Sequence, residues 1–430
     1  MDNLPFEMIE YIYFYLIFKD RLNFSFVRKE YYLSFNPNLY PVDKKNLLNL
    51  RISRIKKFSK ICQLKLILNL DINKNNKKSI KVFDNIKTIN ICKLVNFMNI
   101  KLSHKWSDTH CHCFNINDKY YNVIGQIKVY PHRINEPLIF GDGDSKGRPE
   151  NVEFIMSKLL GQFALDNNIQ HFILPKSIFF SDIKRFIKIP QEKIVSQYAY
   201  LYKHFISEYR ASHYQKIGSL LIYENIKNNL MDYINTNHKK MSLMTWKIII
   251  FQILYTLTKI HKKYPNFKHN NLMVNKIMLN NIKHDLNSIN NTASHYQYEL
   301  NKNIFRIPII NLEIRIGDFY FASIDGKVEN NLVNSDWAMN LGITKKKNQY
   351  YDIHFLFNTI LNKNFIPNLK EKIPKEIKKF IYRIIPKKYR IGNKNSSQKG
   401  RLLKNIEYIT PLEILMKDKL FQKFRTIIKN

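Results

Sequence analysis

The sequence predicts an α+β protein: a small N-terminal helical module followed by a two-lobed domain, β-rich in its first lobe and helical in its second. Three features predict this. Met8, Ile9, Ile12 and Leu16 recur at helical spacing near the start of the chain. Residues 120–130 and 217–224 carry the β-branched and aromatic runs expected of strands. A long helix is predicted over 245–262, with Trp246, Ile249, Ile250, Ile253, Leu254 and Leu257 on its apolar face. Strands before helices divide the chain into a module at 1–45, a linker at 46–105, a first lobe at 106–225 and a second lobe at 226–430.

Composition limits the function classes. With 430 residues and 45% apolar content the chain can bury a large core. No apolar run approaches the ~20 residues needed to cross a bilayer; the longest, Ile248–Leu257, is interrupted by Gln252. The opening Met-Asp-Asn-Leu-Pro-Phe-Glu is acidic, unlike a secretory signal. Four cysteines offer no disulfide framework, which points to a reducing compartment. The net charge of +36, from 70 Lys+Arg against 34 Asp+Glu, is the feature that could signal a nucleic-acid partner. It is spread along the chain, Lys outnumbers Arg, and Asn and Ile are abundant everywhere, so coding bias is the preferred reading.

In the N-terminal module, Pro5 suits a first helical turn, where its missing N–H costs nothing, and Glu7 complements the positive helix end. Asp20 is placed to cap a second helix carrying Leu22, Phe26 and Val27. This ordered series, Leu4-Pro5, Glu7, Met8, Ile12, Leu16, the Asp20 step, Leu22 and Val27-Arg28-Lys29-Glu30-Tyr31, resembles an F-box, with Arg28 and Tyr31 where the family usually has Cys and Trp. The resemblance implies docking on a Skp-type adaptor of a cullin–RING ubiquitin ligase through Leu4, Pro5, Glu7, Met8, Ile12, Leu16, Leu22, Val27 and Tyr31. Such docking buries apolar side chains against a partner helix and needs no chemistry.

Between the module and the main domain, residues 71–88 are polar and of low complexity, and 46–105 as a whole carries no clear signal. His110-Cys111-His112-Cys113 offers metal-ligand types but lacks the second pair that a zinc site needs, so a strand edge is expected there instead. Tyr120–Ile124 and Gln126–Tyr130 read as two β stretches, separated by a Gly-rich turn around Gly141 and Gly143 from a helix opened by Pro149 and Glu150.

The second lobe holds the decisive constellation. His269-Asn270-Asn271-Leu272-Met273-Val274-Asn275-Lys276 follows the long helix. Gly317-Asp318-Phe319-Tyr320 comes next, then Gly342-Ile343, Tyr351-Asp352-Ile353-His354 and Thr410-Pro411-Leu412-Glu413. In order and spacing these resemble the catalytic loop, the Asp-Phe-Gly segment, the later Asp that braces the catalytic loop, and the closing helix of a protein kinase of the large-DNA-virus (mimivirus-like) type. Tyr223-Glu224-Asn225 then resembles the hinge between the lobes, and the Asn-rich 281–304 an insertion.

The same resemblance implies that catalysis is degenerate. Phosphoryl transfer uses a carboxylate base and oxygen ligands for Mg2+. Asn271 stands at the base position and cannot take a proton at neutral pH. Lys276 stands at a metal-ligand position, where a cation opposes Mg2+. Met273 replaces a phosphate-contacting Lys, and no Gly-rich phosphate loop precedes Lys128. Lys128, Glu153 and Asp318 remain as a nucleotide-binding set, with Asp318 able to hold one Mg2+; the other reading of Lys128 is an exposed strand lysine. No cofactor is expected, ATP and Mg2+ being the doubtful case.

The resulting expectation is a substrate receptor of the host cytoplasm, the nucleus left open, that presents an unidentified protein to a host ubiquitin ligase and touches no membrane. One rival is an active serine/threonine kinase. The other is a basic nucleic-acid-binding protein using Pro386–Arg390 through Lys399–Arg401, a stretch whose composition reads as a solvated loop.

Overall fold

The computed structural model describes residues 41, 43–62, 68, 101–118, 120, 122–134, 145–189, 193–288 and 295–427. The F-box-like positions Leu4 to Tyr31 lie outside the described residues, as do Gly141 and Gly143. The first described helix, α1 (Lys44–Cys62), lies in a segment that gave no clear sequence signal. Asp43 caps it, its Oδ1 accepting from Asn46 N at 3.1 Å. Leu47, Leu48, Ile52 and Ile55 bury one face in the main core.

The first lobe is one antiparallel sheet of β1 (Lys101–Ser107), β2 (His112–Asn117), β3 (Val123–Tyr130), β4 (Pro175–Asp182) and β5 (Ile217–Tyr223), in spatial order β1-β2-β3-β5-β4. Two expectations are corrected here. Tyr120 does not begin a strand: Asp118 Oδ1 accepts from Tyr120 N and Asn122 N at 2.9 and 2.8 Å, making a turn, and β3 then runs unbroken from Val123. His112 and Cys113 open β2, which lies between β1 and β3 rather than at an edge. Helix α2 (Pro149–Asp166) follows β3 and is buried almost all round, as a helix enclosed between sheet and second lobe must be. Helix α3 (Ala199–Arg210) packs Tyr202 and Phe205 onto Phe114, Phe179 and Phe186 of the first-lobe core.

The second lobe is built around α5 (Leu243–Lys263), which follows the short α4 (Leu230–Asn237). Ser242 caps α5 by accepting from Thr245 N at 3.1 Å, and Lys262 and Lys263 complement its C-terminal end. By length and composition alone α5 could cross a bilayer, but most of that stretch is buried inside the protein. Each fully buried Ile or Leu along it stabilises the fold by about 1.5–3 kcal/mol. Short pairings follow: β6 (Asn228–Asn229) and β11 (Leu312–Ile316) flank β8 (Ile277–Asn281), and β7 (Phe267–Lys268) pairs with β12 (Ser323–Ile324). Helices α6 (Tyr351–Ile360), α7 (Lys375–Ile384) and α8 (Pro411–Lys417) complete the lobe, α7 and α8 packing on α5. Thr410 and Glu413 form a reciprocal capping box at α8.

The Asn-rich stretch is more than an insertion. It forms a hairpin, β9 (His295–Leu300) and β10 (Asn303–Pro308), to which β13 (Arg425–Ile427) adds a third strand. Its turn residues Asn301 and Lys302 have φ of 45° and 64°, the left-handed pair that suits a two-residue hairpin. Tyr298 of β9 packs edge-on against Phe251 of α5 with ring centres 5.2 Å apart, so the hairpin belongs to the core.

One side chain joins α1 to the first lobe and the hinge. Arg51 donates to the carbonyls of Gln170 (2.7 Å) and Phe172 (2.5 Å) and forks onto both carboxylate oxygens of Glu224 (3.0 and 2.5 Å). Burial alone would push Glu224 up, but Arg51 and Arg315 outweigh it and hold the carboxylate below its usual range. Replacing Arg51 with Ala strands a buried carboxylate, so Arg51→Ala is expected to cost about 3–5 kcal/mol in urea unfolding; a loss under about 1 kcal/mol would show that the fork holds nothing.

Buried histidines set the acid limit of stability. Burial holds His112 at about 3, and His261 and His354 at about 4, all below the ordinary 6.5. Between pH 6.5 and 4 the unfolded chain therefore takes up protons that the folded chain refuses, and stability falls as pH falls. Glu153, pushed up to about 7 by burial, and the raised Asp352 and Asp232 act in the opposite sense, but burial also lowers His104, His132, His171 and His269, so the imidazoles outnumber these carboxyls. The melting temperature is expected to drop steadily from pH 6.5 to 4; a flat profile would contradict the burial of these imidazoles.

Candidate functional site

The cleft between the lobes is where the sequence-predicted residues meet. Lys128 lies on β3 two residues beyond Gln126, so both side chains face the cleft. Lys128 Nζ is 3.3 Å from Glu153 Oε1 on α2 and 2.5 Å from Asp318 Oδ1. It is 4% exposed, which excludes the exposed-lysine reading. Lys276 Nζ takes the other Asp318 oxygen at 2.5 Å and lies 3.9 Å from Asp108 Oδ2. Asp318 is thus held between two ammonium groups.

The electrostatics follow from that arrangement. Burial works against the Asp318 charge, yet Lys128 and Lys276 overcome it and hold the carboxyl well below the usual range. For both lysines burial is likewise the largest single effect and lowers them, but the attraction of Asp318 prevails and leaves them raised. Glu153 is the weaker partner: burial raises it to about 7 and its Oε2 has no hydrogen-bond partner. The Trp106 ring centre lies 5.7 Å from Lys128 Nζ and 5.9 Å from Lys276 Nζ, adding a cation–π contribution from above.

Asp318 is aimed by its neighbours. Its φ is 68°, a left-handed conformation that Asp tolerates better than most residues. A Cβ on the preceding Gly317 would lie 2.5 Å from Ile173 Cδ1, so a larger residue there would force the Ile173 side chain to shift. The Gly317 carbonyl pairs with His269 Nε2 at 3.0 Å, and the Phe319 ring packs 5.4 Å from the His269 ring. Tyr320, where Gly is usual in the resembling family, stacks on His110 with centres 4.8 Å apart, closing the β1–β2 loop over the site.

The loop 269–276 is braced from below. Asp352 accepts from His269 N at 2.7 Å and Asn270 N at 2.9 Å, the role suggested by the sequence resemblance. Asn270 has φ 59°, and its Nδ2 donates to the Phe321 carbonyl at 3.0 Å. Arg401 Nη2 then donates to Asn271 Oδ1 at 2.8 Å, Nη1 donates to the Asn270 carbonyl, and the guanidinium lies 4.3 Å from the Phe355 ring centre. Gly400, with φ 96°, makes this approach possible, since a Cβ there would sit 2.6 Å from Asn358 Cβ. The solvated-loop reading of this stretch is therefore corrected at Arg401, which is 7% exposed and bound to the loop. Met273, half-buried, follows in the same loop, its N–H donating to the Asn271 carbonyl at 2.9 Å.

Chemically, this set does not fit Mg2+ or a proton-accepting base. Mg2+ needs oxygen ligands at about 2.0–2.1 Å, and both Asp318 oxygens are held by ammonium groups. The Asn271 amide oxygen already accepts from Arg401 and carries no charge to take a proton. Among the described residues no group of three or more His, Cys, Asp or Glu could hold a metal ion. Sequence reasoning named Arg401 only as part of a basic patch, not as a partner of Asn271, and missed Trp106. Arg401 lies 130 residues from Asn271, and no local periodicity marks either side chain.

No family model matches the chain. It is 41% identical over 333 residues to the Acanthamoeba polyphaga mimivirus protein named "Putative serine/threonine-protein kinase R400", covering 76% of this chain and 70% of that one. A second mimivirus protein, "Putative serine/threonine-protein kinase R301", is 28% identical over 130 residues, 28% of this chain and 32% of the relative. A third, "Uncharacterized protein R402", is 27% identical over 270 residues, 61% of this chain and 27% of the relative. With 41% identity across 76% of its length, the chain belongs to the kinase-like family of the first of these viral proteins, as a divergent member.

Proposed function

We propose that the kinase-like domain is a catalytically silent binding module and that the chain acts as a substrate receptor in a host cell. The observation that carries the reading is the ion pair of Lys276 with Asp318, which puts a protein cation where transfer chemistry needs a metal. Arg401 on Asn271 supports it, because the base position is both uncharged and occupied. The domain then contributes a surface that holds a protein target. The F-box-like residues Leu4, Pro5, Glu7, Met8, Ile12, Leu16, Leu22, Val27 and Tyr31 would engage a Skp-type adaptor, and the recruited cullin ligase would perform the ubiquitin transfer. A weakly active serine/threonine kinase is the second reading, favoured by the names of two relatives and by the Lys128–Glu153 pair.

Two measurements on the purified full chain separate these readings. Labelled phosphate transfer from ATP with Mg2+ or Mn2+ is expected to match that of Asp318→Ala within error; transfer that Asp318→Ala abolishes would establish the kinase. Purified Skp adaptor is expected to co-elute with wild type and to bind at least about tenfold more weakly to Leu4→Ala/Pro5→Ala, a loss of about 1.4 kcal/mol. No binding by wild type would end the receptor reading.

A further inference from the structure

The metal side of the cleft is closed by Lys276, and the opposite side carries an independent closure. Between β5 and β6 the chain passes from one lobe to the other through Glu224, Asn225 and Ile226, of which Ile226 borders the cleft. A planar heterocycle entering there would need a free carbonyl or N–H to pair with. The Ile226 carbonyl is already taken twice. Gln126 Nε2 donates to it at 2.8 Å, and Lys105 Nζ donates to it as well. A carbonyl oxygen has two lone pairs, so this acceptor is saturated.

Gln126 is fixed rather than resting there. It is 1% exposed, and the same Nε2 lies 3.1 Å from Asn225 Oδ1 and 3.3 Å from Asn115 Oδ1. Strand pairing sets its position, because Gln126 stands opposite Asn115 on β2 and Tyr223 on β5. The Tyr223 hydroxyl, 3.2 Å from Cys113 Sγ, holds that ring against the back wall. What remains is a cavity of about 200 Å3, below the roughly 300–1,000 Å3 of ordinary small-molecule pockets.

We propose that Gln126 and Lys105 close the interlobe cleft to purine nucleosides from within, so that the two lobes hold one arrangement with no nucleotide between them. A base entering the cleft would have to displace both the Gln126 amide and the Lys105 ammonium from the Ile226 carbonyl, and each displaced donor loses a hydrogen bond in doing so. This deepens the receptor reading on which it rests: the partner surface is presented continuously and is not gated by ATP.

Adenosine is the discriminating probe, because it carries no phosphate and needs no metal, so Lys276 does not enter the result. Calorimetric titration of the full-length protein is expected to show no adenosine binding in wild type at millimolar ligand and none in Lys276→Asn. Gln126→Ala/Lys105→Met, shown to melt cooperatively, is expected to gain binding by at least tenfold. Wild type that binds adenosine as well as the double variant does would overturn the proposal. So would a folded double variant that still excludes it, or Lys276→Asn alone admitting it. Silent phosphate transfer together with adenosine-binding wild type would leave the receptor reading standing and remove only this closure.

Discussion

The cleft is organised around one carboxylate, Asp318, shared between Lys128 and Lys276. Burying three ionised groups is costly, and the cost is recovered only where each oxygen and each ammonium finds a close partner. Both Asp318 oxygens do so at 2.5 Å. The surrounding structure serves to keep that geometry: Gly317 leaves room beside Ile173, His269 donates to the Gly317 carbonyl, and Asp352 fixes the backbone of the loop that delivers Lys276. A lysine here does electrostatically what a bound cation would do, neutralising Asp318.

A second buried charge system supports the first from outside the cleft. Arg51 of α1 reaches Glu224 at the lobe junction, and Arg315 lies 3.9 Å from the same carboxylate. This couples α1 to the segment that sets the spacing of the lobes. Glu224 also accepts from Leu174 N at 3.0 Å, so the first-lobe sheet is tied to the same anchor. The high lysine and arginine content thus includes members with specific internal partners, beside a larger number on the surface.

Much of the domain was legible in the sequence because its signals are local. The apolar period of 245–262 matched α5, Pro149-Glu150 marked the start of α2, and His269, Asp318 and Asp352, singled out in order along the sequence, lie close together in the fold. What was not legible depends on partners far apart in the chain. Arg51 and Glu224 are separated by 173 residues, and neither lies in a pattern that names the other. Arg401 sits in a stretch of Gly, Asn, Ser and Lys that composition assigns to solvent, and only the tertiary fold turns it onto Asn271. The hairpin 295–308 was hidden by its Asn-rich surroundings, although the alternation of Tyr296, Tyr298 and Leu300 carried the period of a half-buried strand.

The shared carboxylate is tested most directly by a double-mutant cycle for folding stability with Lys276→Met, Asp318→Asn and the pair. If the two side chains form the buried ion pair described here, the effects will be strongly non-additive, with a coupling energy above about 1 kcal/mol. Additivity within about 0.5 kcal/mol would mean that Lys276 and Asp318 do not hold one another, and the closed metal position would have no physical basis.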